Sequence, residues 1–316
     1  MHTQAMHKQK QKEQLRWIRT TLSLLAAAAL AFADALGAAT AKLPNFVVAD
    51  SQSTVYIYSP QTGQQYALVQ GDARVRPYDV VIDSKGYVIF SDTGLFRIVR
   101  VDPRNGQQDV LAQPPELPGV PYGICADKYD RICVANSEVI VRLDPATRHI
   151  ATIAEGELLK VPLDVVAAPD GKLYVADARA GVICIDPDSK PPTQTLIAHG
   201  SPLLNPVGIA IDGNSSLYVA DTVAQCIFRI SLQDKKPIMV SKPGVLTTPV
   251  AIAVVPGGTV LASDPDAFGD LAGGIFAIGP DGTTPILHGS GDLVNPRGIA
   301  LLPASMSVLG NRATVR

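Results

Sequence analysis

Five aspartates and one asparagine return along the chain at nearly constant spacing, each closing a short apolar run: FVVAD (46–50), VIFSD (88–92), ICVAN (132–136), LYVAD (173–177), LYVAD (217–221) and VLASD (260–264). The closing positions, Asp50, Asp92, Asn136, Asp177, Asp221 and Asp264, lie 42, 44, 41, 44 and 43 residues apart. Carboxylates in a regular set are groups that hold a hard cation such as Ca²⁺ or move protons. An Asp or Asn at a strand end also accepts backbone N–H bonds from the turn that follows, and this accounts for one in every unit without any ligand. The second reading is the favoured one.

The elements around these residues follow from the same spacing. Fifteen residues before each closing residue, from the second copy onward, a proline opens an apolar run: PYDVVID (77–83), PYGICAD (121–127), PLDVVAA (162–168), PVGIAID (206–212) and PVAIAVV (249–255). Turn formers such as Pro169-Asp170-Gly171 separate the two runs, and two β-rich runs follow, for example CIFRI (226–230) and PIMVS (237–241). A repeat of about 40–45 residues with four short strands predicts a propeller blade. Six units predict an all-β, six-bladed β-propeller with four-stranded antiparallel blades over residues 42–302.

The first unit lacks its proline strand, while PRGIALL (296–302) ends the series without a unit after it. A 1+3 closure is expected, in which the C-terminal strand completes the first blade and removes an exposed edge. Met306 to Asn311 competes with Phe46 to Asp50 for the next place; the N-terminal copy fits the repeat better, which leaves 303–316 as a tail.

Residues 1–41 carry Lys8, Lys10, Lys12, Arg16 and Arg19, then an apolar stretch from Leu22 to Ala33, then Ala39-Thr40-Ala41. This order predicts a signal peptide cleaved after Ala41 and export to a periplasm or beyond the cell; an uncleaved anchor is the alternative. The segment holds five of the 27 Lys+Arg and two of the 29 Asp+Glu, so the remainder carries a formal charge of −5. A mildly acidic chain excludes general nucleic-acid binding, and no membrane association is expected after cleavage. The single tryptophan, Trp17, falls in the leader, which leaves no indole platform for sugars or quaternary ammonium groups. Cys125 and Cys133 lie on two strands of one predicted hairpin, and Cys184 and Cys226 on third strands; the four are expected as buried thiols, since sequence does not choose a pairing. GxSxG, HExxH and phosphate-loop motifs are absent.

The segment PVGIAIDGNSSLYVADTVAQCIFRI (206–230) resembles the NHL repeat, and the match runs from Asn45 to about Leu302. The chain also resembles the wider six-bladed superfamily of gluconolactonase-like and strictosidine-synthase-like propellers. The resemblance implies that the loops entering the innermost strands and those following the second strands share one face, around the mouth of a central channel. It implies metal ligands directly after the prolines, where this chain has Tyr78, Tyr122, Leu163, Val207, Val250 and Arg297. None is a carboxylate or amide, so no metal and no cofactor is expected, and Ca²⁺ finds no support there. NHL-type zinc lyases use several histidines near the axis; here His199 and His288 share a register and His149 does not, so no zinc site is expected.

At the next position Gly123, Gly208 and Gly298 stand in three units, but Asp79 and Asp164 in two. These two are the candidate catalytic groups, as acid, base or ligand, with hydrogen bonding to a neighbouring loop as the other reading. Tyr78, Tyr122, Leu163, Val207, Val250 and Arg297 are the candidate ligand-binding residues: an apolar arc facing phenols and one guanidinium suits a small organic molecule or peptide with an anionic end. The loop Pro265 to Gly274, with Asp266 and Asp270, is read as a solvated glycine-rich loop, with a lid or a Ca²⁺ loop as the alternatives. The expected function is binding of a small molecule, peptide or partner protein at the mouth by a monomeric exported propeller; the alternative is an exported lyase or hydrolase acting in the channel.

Overall fold

A computed structural model describes residues 43–213, 215–269, 272–279, 282–288, 293–304 and 306. The expected leader 1–41 and the positions from 307 lie outside the described residues. From Pro44 onward the chain forms twenty-four strands in six four-stranded antiparallel sheets. The proline-led runs are the innermost strands: β4 (Pro77–Ile82), β8 (Pro121–Ala126), β12 (Pro162–Ala167), β16 (Pro206–Asp212), β20 (Ala251–Val254) and β24 (Pro296–Leu301). They neighbour one another in closed cyclic order. The runs ending in Asp or Asn are the second strands: β1 (Phe46–Asp50), β5 (Val88–Asp92), β9 (Ile132–Asn136), β13 (Leu173–Asp177), β17 (Ser216–Asp221) and β21 (Val260–Asp264).

Every residue of every second strand is buried. A strand packed between two neighbouring sheets is apolar on both faces, which is why these segments read as continuous hydrophobic runs rather than as alternation. The core is accordingly a series of layers between blades. One layer joins Val47, Ala49 and Val55 of the first blade to Val80, Val88 and Phe90 of the second.

The ring closes as expected. β24 pairs antiparallel with β1, Phe46 opposite Leu301, Val47 opposite Ala300 and Val48 opposite Ile299. Leu302 N–H donates to the Asn45 carbonyl at 2.8 Å. Met306 lies in a short turn, its N–H donating to the Pro303 carbonyl at 2.8 Å, and packs on the layer between the first two blades. The outer run at 237–241 is shorter than its sequence suggests: β19 spans only Pro237–Met239. Val240 N–H then donates to the Ile227 carbonyl, and the Ser241 hydroxyl accepts the Ile227 N–H, both at 2.9 Å, so a side chain replaces the ladder there.

In five of the six blades the buried residue that ends the second strand, an aspartate, joins two loops. Asp177 accepts from Lys160 and Val161 in the loop entering β12, and from Arg179 and Ala180 in the turn after it, at 2.7–3.0 Å. Asp221 does the same with Leu204, Asn205, Val223 and Ala224 at 2.7–3.1 Å. Asp50 reaches across the closure to Val294 and Asn295 at 2.8–3.2 Å. Asn136 is the exception because its loop presents the Pro118 carbonyl, to which the amide Nδ2 donates. The set is thus the strand-end caps of the favoured reading, extended to the entry loop. Asp221→Ala, which leaves these buried donors without an acceptor, is expected to cost roughly 3 kcal/mol in urea unfolding, and Asp221→Asn less.

Candidate functional site at the channel mouth

The strand-end caps bond to the entry loops and to the post-strand turns alike, so both loop sets lie at one end of the channel. A cleft there encloses about 220 Å³ of empty space, counting its open mouth. Its walls are Tyr78 and Asp79 of β4, Gly123 of β8, Asp164 of β12, Val207 of β16, Val250 and Ala251 at the start of β20, and Arg297 and Gly298 of β24. Six of the eight residues singled out in the sequence therefore meet in one cavity. Tyr122 stands behind Tyr78, edge to face at a ring separation of 5.3 Å. Leu163 is half-buried outside the lining.

Arg297 lies over the Tyr78 ring, its guanidinium carbon 5.8 Å from the centroid. Among the described residues no carboxylate lies within ion-pair reach of it. Val207 and Val250 are buried and give the opposite wall its apolar character. Burial pushes the Tyr78 phenol up, and the nearby Asp164 and Asp79 carboxylates reinforce this against the opposing pull of Arg297. Tyr78 therefore stays a neutral hydrogen-bonding phenol throughout the physiological range.

Asp79 and Asp164 touch the lumen and are enclosed by protein on their other sides. Asp79 Oδ2 accepts the Ile124 N–H of the next blade at 2.7 Å. Asp164 accepts from its own neighbour Val165 and, across the blade boundary, from Ile209, both at 2.8 Å. Burial raises the Asp79 carboxyl to about 7. Asp164 is raised by the same cause, with repulsion from Asp79 added. The glycines of the alternating positions make these contacts feasible: a Cβ on Gly123 would fall 2.2 Å from Asp164 Oδ1, and one on Gly298 2.3 Å from Asp79 Oδ1.

Two serines of the site were not singled out in the sequence. Ser91 Oγ accepts the Asp79 N–H at 3.0 Å and donates to the Tyr122 carbonyl at 2.6 Å. Ser263 Oγ accepts the Ala251 N–H at 3.1 Å and donates to the Arg297 carbonyl at 2.5 Å. Each fixes the backbone of a mouth residue in the following blade. The available signal was the replacement of alanine by serine in VIFSD and VLASD.

The remaining candidates that are described lie apart from the cavity lining. His199 and His149 are exposed, and the side chain of His288 lies outside the described residues. Asp266 accepts from Thr248 Oγ1 at 3.0 Å, while Phe268 stacks on Phe276 with ring centres 6.2 Å apart; Asp270 lies outside the described residues. Among the described residues no group of three His, Cys, Asp or Glu is placed to hold a metal ion. Cys125 and Cys133 sit opposite each other in the β8–β9 ladder as buried free thiols.

Fold and cavity together define a closed six-bladed propeller with NHL-like repeats. The chain belongs to the SMP-30/gluconolactonase/LRE-like family, whose model matches residues 80–264, more than half of its length. No curated protein matches it in sequence. Among solved structures, a chain of a nidogen/laminin complex is similar over 82% of this chain and 98% of its own, at 14% identity and a TM-score of 0.69. A catalytically inactive virginiamycin B lyase from Staphylococcus aureus, crystallised with quinupristin, is similar over 81% and 87%, at 16% identity and a TM-score of 0.58. Both likenesses concern the fold.

The acid pair gives the molecule a pH dependence. The folded state holds the Asp79 proton up to about pH 7 while the unfolded chain releases it near 3.8, so this group's stabilisation is full below pH 4 and is lost as pH rises toward 7. Asp79→Asn keeps an acceptor for Ile124 and carries no charge. Thermal melts from pH 4 to 8 are expected to show a smaller fall in Tm for this variant than for the wild type; parallel curves would contradict the assignment.

Proposed function

We propose that the protein is an exported propeller that binds a small organic molecule with an anionic end in the cavity at the channel mouth. The observation that carries this reading is Arg297. Its guanidinium has no carboxylate within ion-pair reach among the described residues and shares its cavity with the Tyr78 phenol, Val207 and Val250, and the main-chain-bonded carboxyls of Asp79 and Asp164. A cation beside apolar surface is a common recipe for holding the charged end of an amphiphilic ligand. Asp79 and Asp164 act in this reading as clamps that keep neighbouring innermost strands together, because both oxygens of Asp164 already accept main-chain N–H groups.

The test is a panel of small organic acids, alcohols and amides in a thermal-shift assay on the wild type and on Tyr78→Ala/Arg297→Ala. The wild type is expected to gain Tm with acids and the double variant to lose that gain. Equal shifts in both proteins would remove the cavity from consideration.

Export is part of the proposal and is supported by the basic, apolar and small-residue order of residues 1–41. Amino-terminal sequencing of the protein from the periplasmic or culture fraction is expected to begin at Lys42; a chain that retains Met1 in the cell pellet would refute it.

A further inference from the structure

The cavity is built on a repeat of two blades, and one of the three copies differs. Two residues after each proline the innermost strands carry Asp79, Gly123, Asp164, Gly208, Ala251 and Gly298 in ring order. Asp79 accepts the N–H groups of Val80 and, in the next blade, of Ile124. Asp164 accepts those of Val165 and Ile209. One carboxylate thus gathers two N–H groups from neighbouring innermost strands.

In the third pair the corresponding groups belong to Ile252 and Ile299. They lie opposite Ala262 and Val48, as Val165 and Ile209 lie opposite Val175 and Val219. Ladder alternation fixes their direction. Val255 N–H donates to the Thr259 carbonyl and Leu302 N–H to the Asn45 carbonyl, each at 2.8 Å. Counting back by twos, Ala253 and Ala300 face their partner strands, so the N–H groups of Ile252 and Ile299 point away from those strands toward the channel. Ala251 stands where the other pairs have Asp, and among the described residues no side-chain acceptor meets either N–H. Gly208 also abuts the next blade, but there its Cβ position falls 2.3 Å from the Val250 main-chain oxygen rather than against a carboxylate. Ala251 and Gly298, which precede the two peptide groups, both line the cavity beside Arg297.

We infer that a small organic monocarboxylate completes the third clamp, its oxygens accepting the N–H groups of Ile252 and Ile299 beside the Arg297 guanidinium, with its apolar part against Val250 and Tyr78. This rests on the reading of the mouth as a ligand site. At the two internal clamps burial dominates. The third has Arg297 on the same strand as Ile299 and so suits a carboxylate that keeps its charge.

The test uses phenylacetate and phenylacetamide as probes on protein labelled with ¹⁵N at Ile, Val and Tyr. Phenylacetate is expected to move the Ile252 and Ile299 amide signals in a saturable way, and phenylacetamide to leave them in place. Ala251→Asp supplies the carboxylate from within; it is expected to raise Tm and to weaken phenylacetate binding by at least about tenfold, the worth of a lost pair of hydrogen bonds to a charged group. Arg297→Gln is expected to weaken binding while leaving Tm unchanged, and it decides the question should Ala251→Asp not fold. If Tyr78 and Val207 signals move with the acid alone while Ile252 and Ile299 stay still, the clamp is wrong and the mouth reading stands; if the amide binds as well as the acid, the clamp falls together with the anionic end of the mouth reading. If no signal moves with either probe up to its solubility, both fall.

Discussion

A carboxylate buried at the end of a second strand accepts main-chain N–H groups from the loop entering its own blade and from the turn leaving the strand, and the mouth of the propeller depends on that contact. The loops at this face carry no ladder of their own, so their N–H groups need an acceptor within the protein wherever the blades exclude water. One short acidic side chain provides it in five of the six blades, and Asn136 stands in that place in the third. The cost appears at Asp50 and Asp264, whose carboxyls are raised by burial against the pull of the same hydrogen bonds. With the loops held from below, the innermost strands present their first residues to the lumen in a fixed arrangement, and the cavity is made from those residues.

Within that arrangement the six blades are not equivalent. Carboxylates at Asp79 and Asp164 draw together the second and third blades and the fourth and fifth, while hydroxyls at Ser91 and Ser263 tie the second to the third and the sixth to the first. The sixth and first blades have the hydroxyl but not the carboxylate. Arg297 stands at this boundary, and the asymmetry of the cavity comes from it: polar and aromatic on one side, aliphatic on the other.

The fold was legible because it is written six times. Proline, apolar run, turn, apolar run and Asp recur in phase, and the unmatched strand at Pro296 announces the closure. The site was legible only where the repeat breaks, and unevenly. Asp79 and Asp164 stand out against glycine, and Arg297 against Tyr, Leu and Val. Whether such a side chain reaches the lumen depends on small rotations of neighbouring strands that spacing does not encode: Val207 lines the cavity while Leu163, at the equivalent position, does not. Ser91 and Ser263 were visible as letters, yet their bonds run to other blades. The meaning of Ala251 emerges only when the N–H groups on either side of it are given directions.

The pairing of β24 with β1 joins residues some 250 positions apart in a ring whose other sheets are each made from consecutive chain. Sheets two to six are assembled from local contacts and can form as their residues become available, whereas the first must wait for the end of the chain. Time order in folding is therefore set by the closure: an incomplete ring has its first blade open and Arg297 still undelivered. The cavity is complete only once β24 has joined β1 and brought Arg297 to the mouth.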